Sequence, residues 1–174
     1  SSKGFQLVAG EQYMAYYPIV NEVTAAPIIP VDYTGQTQDG NGSYAHLASH
    51  DYMVSDAVTP TATNVADFAM HHVGAILRLR ITMRKADSYS SVVLSATSDK
   101  AFTTKANLNL FGTELIEPTE QASTITLNLT NATTTDADKV LTVWAMVLPT
   151  DLSSETVTVT VKSATGADDA VFSF

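Results

Sequence analysis

Four histidines, eighteen carboxylates and seven tyrosines are the side chains of this 174-residue chain from which chemistry could be built. His46 and His50 stand four apart, the offset that brings two imidazoles to one helix face as a metal-ligating pair, and Asp51 is adjacent. The same spacing also suits a polar loop with two exposed rings. His71 and His72 are neighbours, so on a strand they point to opposite faces and only one can look inward. The ordinary expectation for that one is a partly buried ring bonded to a loop carbonyl.

Carboxylates could act in pairs across a cleft, as in glycoside hydrolysis. The close pairs, Asp136 with Asp138 and Asp168 with Asp169, instead fall in turn-like segments where they are solvated, and their spacing lacks the grammar of a calcium loop. No serine sits in a G-x-S-x-G elbow. There is no cysteine, which removes thiol nucleophiles, disulfides and cysteine-based metal sites. No catalytic, cofactor-binding or metal site is therefore expected, and the chain reads as no enzyme. The tyrosines (Tyr13, Tyr16, Tyr17, Tyr33, Tyr44, Tyr52, Tyr89) crowd the first half. Exposed tyrosines stack on sugars, so Tyr33 and Tyr44 are candidates for a ligand platform. The competing reading packs them under a loop. Trp144 lies in the most apolar stretch and reads as core.

The elements that would position these groups are strands. From Val73 onward Val73, Ala75, Leu77, Leu79, Ile81 and Met83 occupy every second position, and Arg78, Arg80, Thr82 and Arg84 fill most of the gaps. Period-two alternation sends the arginines to one face, which must meet solvent or carboxylates. Thr124 to Thr130 alternates in the same way, as does Glu155 to Lys162. Val140 to Leu148, VLTVWAMVL, is apolar on both faces, so it is either covered twice or has one face in an interface. Phe5 to Val8 and Gln12 to Tyr17 read as short apolar or strand-like pieces, and Glu114 to Gln121 as a polar connection. Residues 19–64, rich in proline and glycine, read as one long irregular loop with a helical turn within Tyr44 to Val54.

About nine or ten short strands separated by turn signals predict an all-β, β-sandwich architecture in a single unit spanning 1–174. The net charge of −9 argues against nucleic-acid binding. No run approaches 18 apolar residues, so no membrane-spanning helix is expected. Ser1-Ser2-Lys3-Gly4 reads as a trimmed start.

Several stretches together resemble the fimbrillin-like proteins of Bacteroides-group bacteria, which build or decorate type V pili. Gly10 to Pro18, GEQYMAYYP, is similar to the family's early strand, and His46 to Met53, HLASHDYM, to its L-A-x-x-D-Y-M segment. Phe68 to Ile81, FAMHHVGAILRLRI, is similar to its F-x-H-x-x-A-x-L strand, and VWAMVLPTDL, from Val143, to its penultimate strand and L-P-x-D-L exit. The resemblance implies a transthyretin-like sandwich corresponding to an N-terminal domain, with a lipoprotein signal, a leading strand and a second domain elsewhere in a longer parent. It implies a structural or adhesive subunit of a cell-surface fimbria at the outer membrane. Its partners would be other fimbrial subunits, joined by strand exchange, and it needs no cofactor. A carbohydrate- or host-ligand-binding surface module, using the tyrosine-bearing loop, is the alternative.

Overall fold

The computed structural model describes residues 6–19, 28–62 and 65–174. Ser1 to Phe5 and the parts of the expected loop at 20–27 and 63–64 lie outside the described residues. In chain order the strands are β1 (Tyr16–Tyr17), β2 (Ile28–Asp32), β3 (Thr37–Asp39), β4 (Met53–Ser55), β5 (Met70–His72), β6 (Ala75–Thr82), β7 (Ser88–Ser95), β8 (Phe102–Asn109), β9 (Ile116–Ala122), β10 (Thr124–Thr133), β11 (Val140–Val147), β12 (Thr158–Ser163) and β13 (Ala170–Ser173). A 3₁₀ turn, Ala45–His50, lies between β3 and β4.

The long alternating strands lie where the period-two pattern predicts. The differences come from short pieces. The Pro/Gly-rich stretch 19–64 carries β2, β3, β4 and the 3₁₀ turn, because its few apolar residues, Ile29, Val31, Tyr33, Leu47 and Val54, are pulled into the core. Gln12 to Tyr17 forms only β1, with an isolated bridge between Tyr13 and Val58. The stretch expected to be a polar connection contains β9, which pairs with β8. Pro118 lies on that edge strand, where a missing N–H is tolerated.

The all-β fold packs as a sandwich. One layer is a five-stranded sheet ordered β13-β12-β7-β10-β3. A two-stranded ribbon, β11 with β6, lies against its inner face, and a third sheet ordered β2-β8-β9 lies on the far side of β11. Val92, Leu94, Leu127, Leu129, Val159 and Val161 of the large sheet pack with Leu141 and Val143 of β11 and Ile81 of β6 in one core cluster. On the other face of β11, Met146 and the following Leu148 pack with Ile29 and Val31 of β2 and with Ala106 and Leu108 of β8 in a second cluster. Strand β11 is thus apolar on both faces because the chain itself covers both. This answers the choice left open by VLTVWAMVL: neither face is bare.

Candidate functional site

With both faces of β11 covered, the ribbon differs most between its two edges. On the side of β11 away from β6, no strand among the described residues pairs with it. Three side-chain amides take a strand's place. Met146 N–H donates to Gln36 Oε1 at 2.8 Å, and Gln36 Nε2 donates back to the Met146 carbonyl at 2.7 Å. Trp144 N–H donates to Gln38 Oε1, and Gln38 Nε2 donates to the Thr142 carbonyl, both at 2.9 Å. Thr142 N–H donates to Asn41 Oδ1 at 2.8 Å, and Asn41 Nδ2 donates to the Val140 carbonyl at 2.9 Å. His46 Nε2 meets the Trp144 carbonyl at 2.9 Å and completes the row.

The local sequence explains how this row is built. Gln36 and Gln38 are two residues apart, so in an extended segment they project to the same face. Backbone pairing of β3 with β10 in parallel register holds them beside β11. Gly40 and Gly42, at φ +85° and +78°, turn the chain so that Asn41 follows in line, a backbone shape that favours glycine. Gln38 is fully buried and Gln36 nearly so. Nothing in composition or motif spacing singles these residues out; the only trace is the Q-x-Q alternation between glycines.

The opposite edge has no strand paired to it among the described residues. Because Val140, Thr142, Trp144 and Met146 turn their backbone groups to the amides, Leu141, Val143, Ala145 and Val147 turn theirs to β6, opposite Ile81, Leu79, Leu77 and Ala75. The N–H and C=O groups of Ile76, Arg78, Arg80 and Thr82 therefore point away from β11, and among the described residues none has a hydrogen-bond partner. Side chains alternate accordingly. Leu77 and Leu79 face the first core but are only partly buried, whereas Ile76, Arg78 and Arg80 are exposed, as is Arg84 beyond the strand. The arginines line one face, as the alternation predicts. Arg78 lies over the Trp144 ring, 4.8 Å from its centroid.

Other edges are blunted. β2 carries Pro30, β9 carries Pro118 with Glu117 and Glu120, and β13 has only four residues. β6 has eight, with neither proline nor glycine. Beside its far end runs a groove of about 420 Å³, lined among others by Thr82, Met83, Arg84, Val161, Ala170 and Phe172. Ala170 and Phe172 pack on the same core cluster as Leu77 and Leu79 and are likewise only partly buried. A second groove of about 250 Å³ lies where β10 runs past the end of β3, lined among others by Phe102, Ile125, Leu127, Met146 and Leu148.

The residues singled out for chemistry are dispersed. His46 and His50 do not face a common point: His50 Nδ1 meets the Asp32 carbonyl at 3.0 Å, while His46 serves β11. Burial holds the His46 imidazole below its ordinary range, against the raising effect of its bond to the Trp144 carbonyl, and its buried Nδ1 has no partner among the described residues. His72 is exposed rather than partly buried, and its Nδ1 lies 2.6 Å from Asp51 Oδ1 rather than from a loop carbonyl; His71 pairs with Asp56 at 3.4 Å. Asp169 binds Lys162, Asp136 binds Lys139, and Asp138 accepts from Val140 N–H. Tyr33 and Tyr44 are separated in environment. Tyr33 is 7% exposed, packed edge-on to Tyr52, and burial pushes its phenol pKa up; Tyr44 is 68% exposed, edge-on to Trp144.

A profile of the fimbrillin-like family matches residues 9–174, nearly the whole chain. The chain belongs to the fimbrillin-like family. Among solved structures, this fimbrillin-like chain is similar in fold to a proposed cell adhesion protein from Bacteroides ovatus, with a TM-score of 0.55 and 14% identity. The match covers 96% of this chain and 58% of that one, so the chain spans less than two thirds of its structural relative. A comparison with curated protein sequences finds no match. No helix among the described residues of this fimbrillin-like chain is long and apolar enough to cross a membrane.

Proposed function

We propose that the chain is a structural or adhesive subunit of a cell-surface fimbria at the outer membrane, and that it joins other subunits by accepting an added strand along β6. The role is one of assembly, not catalysis. The observation that carries this reading is the eight-residue β6, regular and free of proline, whose outward backbone groups have no partner among the described residues while half-buried Leu77 and Leu79 lie at its margin. An unpaired strand edge is a template for a further strand, and main-chain hydrogen bonds supply much of the affinity of such augmentation. Membership of the fimbrillin-like family agrees with it. So does the fold shared with a proposed adhesion protein. The groove at the β10 edge is a poorer acceptor, because β3 already occupies the rest of that strand's edge.

The test is incorporation into pelletable fibres with other subunits of the same surface structure. Arg80→Pro removes one outward N–H without removing a hydrogen bond to β11, and it should abolish incorporation while the isolated protein stays folded, with its melting temperature lowered by no more than about 4 °C. Fibres formed by Arg80→Pro at the normal rate would overturn β6 as the acceptor.

A second reading, a surface module for a carbohydrate or host ligand, is favoured by Tyr44, whose exposed ring stands edge-on to Trp144. Glycan-array binding that is lost in Tyr44→Ala, together with failure to enter fibres, would put this reading ahead.

A further inference from the structure

The chain carries nine basic residues against eighteen acidic ones, and only three of the nine are arginines: Arg78, Arg80 and Arg84. All three lie on β6 or immediately after it. In a protein of net charge −9, carboxylates are plentiful, and several lysines use them: Lys105 lies 3.2 Å from Glu120, Lys139 lies 3.9 Å from Asp136, and Lys162 is bonded to Asp169. Among the described residues none of the arginines has a carboxylate partner. All the arginines of an acidic protein are thus gathered, without a carboxylate partner among the described residues, along the eight-residue edge of β6.

Resting on the strand-addition reading above, we propose that the segment received by β6 is acidic. It is an extended stretch of another protein chain in which carboxylates alternate with apolar side chains. The geometry sets both halves of that pattern. Side chains of a strand added to β6 alternate between the face of Arg78 and Arg80 and the face of Leu77 and Leu79. Directly opposed residues on paired strands bring their Cβ atoms to roughly 4.5–5.5 Å, where opposite charges stabilise and like charges repel. A carboxylate opposite Arg80 meets a guanidinium fork that can bind it through two parallel hydrogen bonds. On the other face, an apolar side chain covers Leu77 and Leu79, which the isolated chain leaves partly exposed.

The same charges reject the wrong occupants. A second copy of this chain pairing β6 to β6 would set arginines against arginines, so the edge is protected from self-association while it stays open to an acidic strand. Arg78 is held by the face of Trp144, so part of the positive stripe is already in position before a partner arrives.

Three labelled eight-residue peptides test the assignment by fluorescence anisotropy: valine alternating with glutamate, with serine and with lysine. Affinity should fall in that order, with the glutamate peptide roughly tenfold tighter than the serine peptide, as expected for two exposed ion pairs. The advantage should shrink in high salt, disappear in the Arg78→Gln, Arg80→Gln double variant, and fall in Arg80→Gln alone, a change at an exposed side chain. Arg80→Pro should abolish binding of every peptide. If the serine peptide binds as tightly as the glutamate peptide, or if the double variant keeps the preference, the acidic assignment is overturned while strand addition at β6 stands. If no peptide binds, or if binding is indifferent to Arg80→Pro, strand addition at β6 is overturned and the assignment falls with it.

Discussion

The two edges of the β6–β11 ribbon are chemically alike as backbone and opposite in treatment. On β11 the outward backbone groups of Thr142, Trp144 and Met146 are all matched by side-chain amides or the His46 ring. On β6 the equivalent groups of Ile76, Arg78, Arg80 and Thr82 have no partner among the described residues. The reason lies in burial. The β11 edge grows more buried from Thr142 to Met146, and at Met146, packed in the second core cluster, an unmatched group would carry its full desolvation cost. Ile76, Arg78, Arg80 and Thr82 on β6 are exposed, so water can satisfy their outward groups. A fold can therefore seal one edge with side-chain amides and leave the backbone groups of its neighbour unmatched among the described residues.

The largest effect should come from breaking the seal. Gln36→Leu keeps the volume but strips the Gln36 partner from the Met146 N–H and C=O, in a residue that is 2% exposed, and from the Tyr33 carbonyl. The loss of these buried bonds should cost about 2–5 kcal/mol in urea unfolding. Arg80→Ala on the other edge should stay within about 0.5 kcal/mol of the parent. Equal costs at the two sites would show that the amides do not carry the load assigned to them.

Next comes proline placed at successive positions of β6. The Leu79 N–H points to β11, so Leu79→Pro should lose about 2–3 kcal/mol through a broken ladder bond and an unpaired acceptor on Val143. Arg80→Pro, with its N–H outward, should lose under about 1 kcal/mol, as edge prolines do. Reversal of that order would mean that the outward and inward positions of β6 are assigned the wrong way round.

Truncations sharpen the contrast further. Leu141 is fully buried on β11, and Leu141→Ala should cost about 2–5 kcal/mol. Leu79, only partly buried at the open margin, should cost about half of that as alanine, and its cost should rise when a bound peptide covers it.

The smallest effect concerns pH. Burial holds the His46 pKa below the ordinary 6.5, and its buried Nδ1 has no partner among the described residues to receive an added proton's N–H. The unfolded chain thus takes up a proton on this residue before the folded one does. The contribution is fully present above 6.5 and is lost as pH falls through that value toward the lower folded pKa. The urea midpoint should decline modestly below neutrality, and His46→Gln should flatten that decline without changing the open edge of β6. An unchanged decline in the variant would assign it to other groups.

The sequence by itself determined the long strands and their faces. Alternation in β6, β10 and β12 is local information, carried by side-chain period, and it placed Arg78, Arg80 and Arg84 together on one side. The family resemblance was legible too, because its markers are short ordered motifs along one chain. What only the tertiary structure decided is which edges are closed. Gln36, Gln38 and Asn41 stand about a hundred residues from the strand they seal, so no local pattern links them to β11. The same holds for VLTVWAMVL. Its two apolar faces demanded two covers, but whether the second was a neighbour or the chain's own β2 and β8 depended on long-range packing. The placement of the tyrosines followed the same logic, since a core drawn from distant segments buries Tyr33 and leaves Tyr44 in solvent. Strand period is a property of neighbouring residues, whereas an open or sealed edge is a property of what the rest of the chain brings beside it.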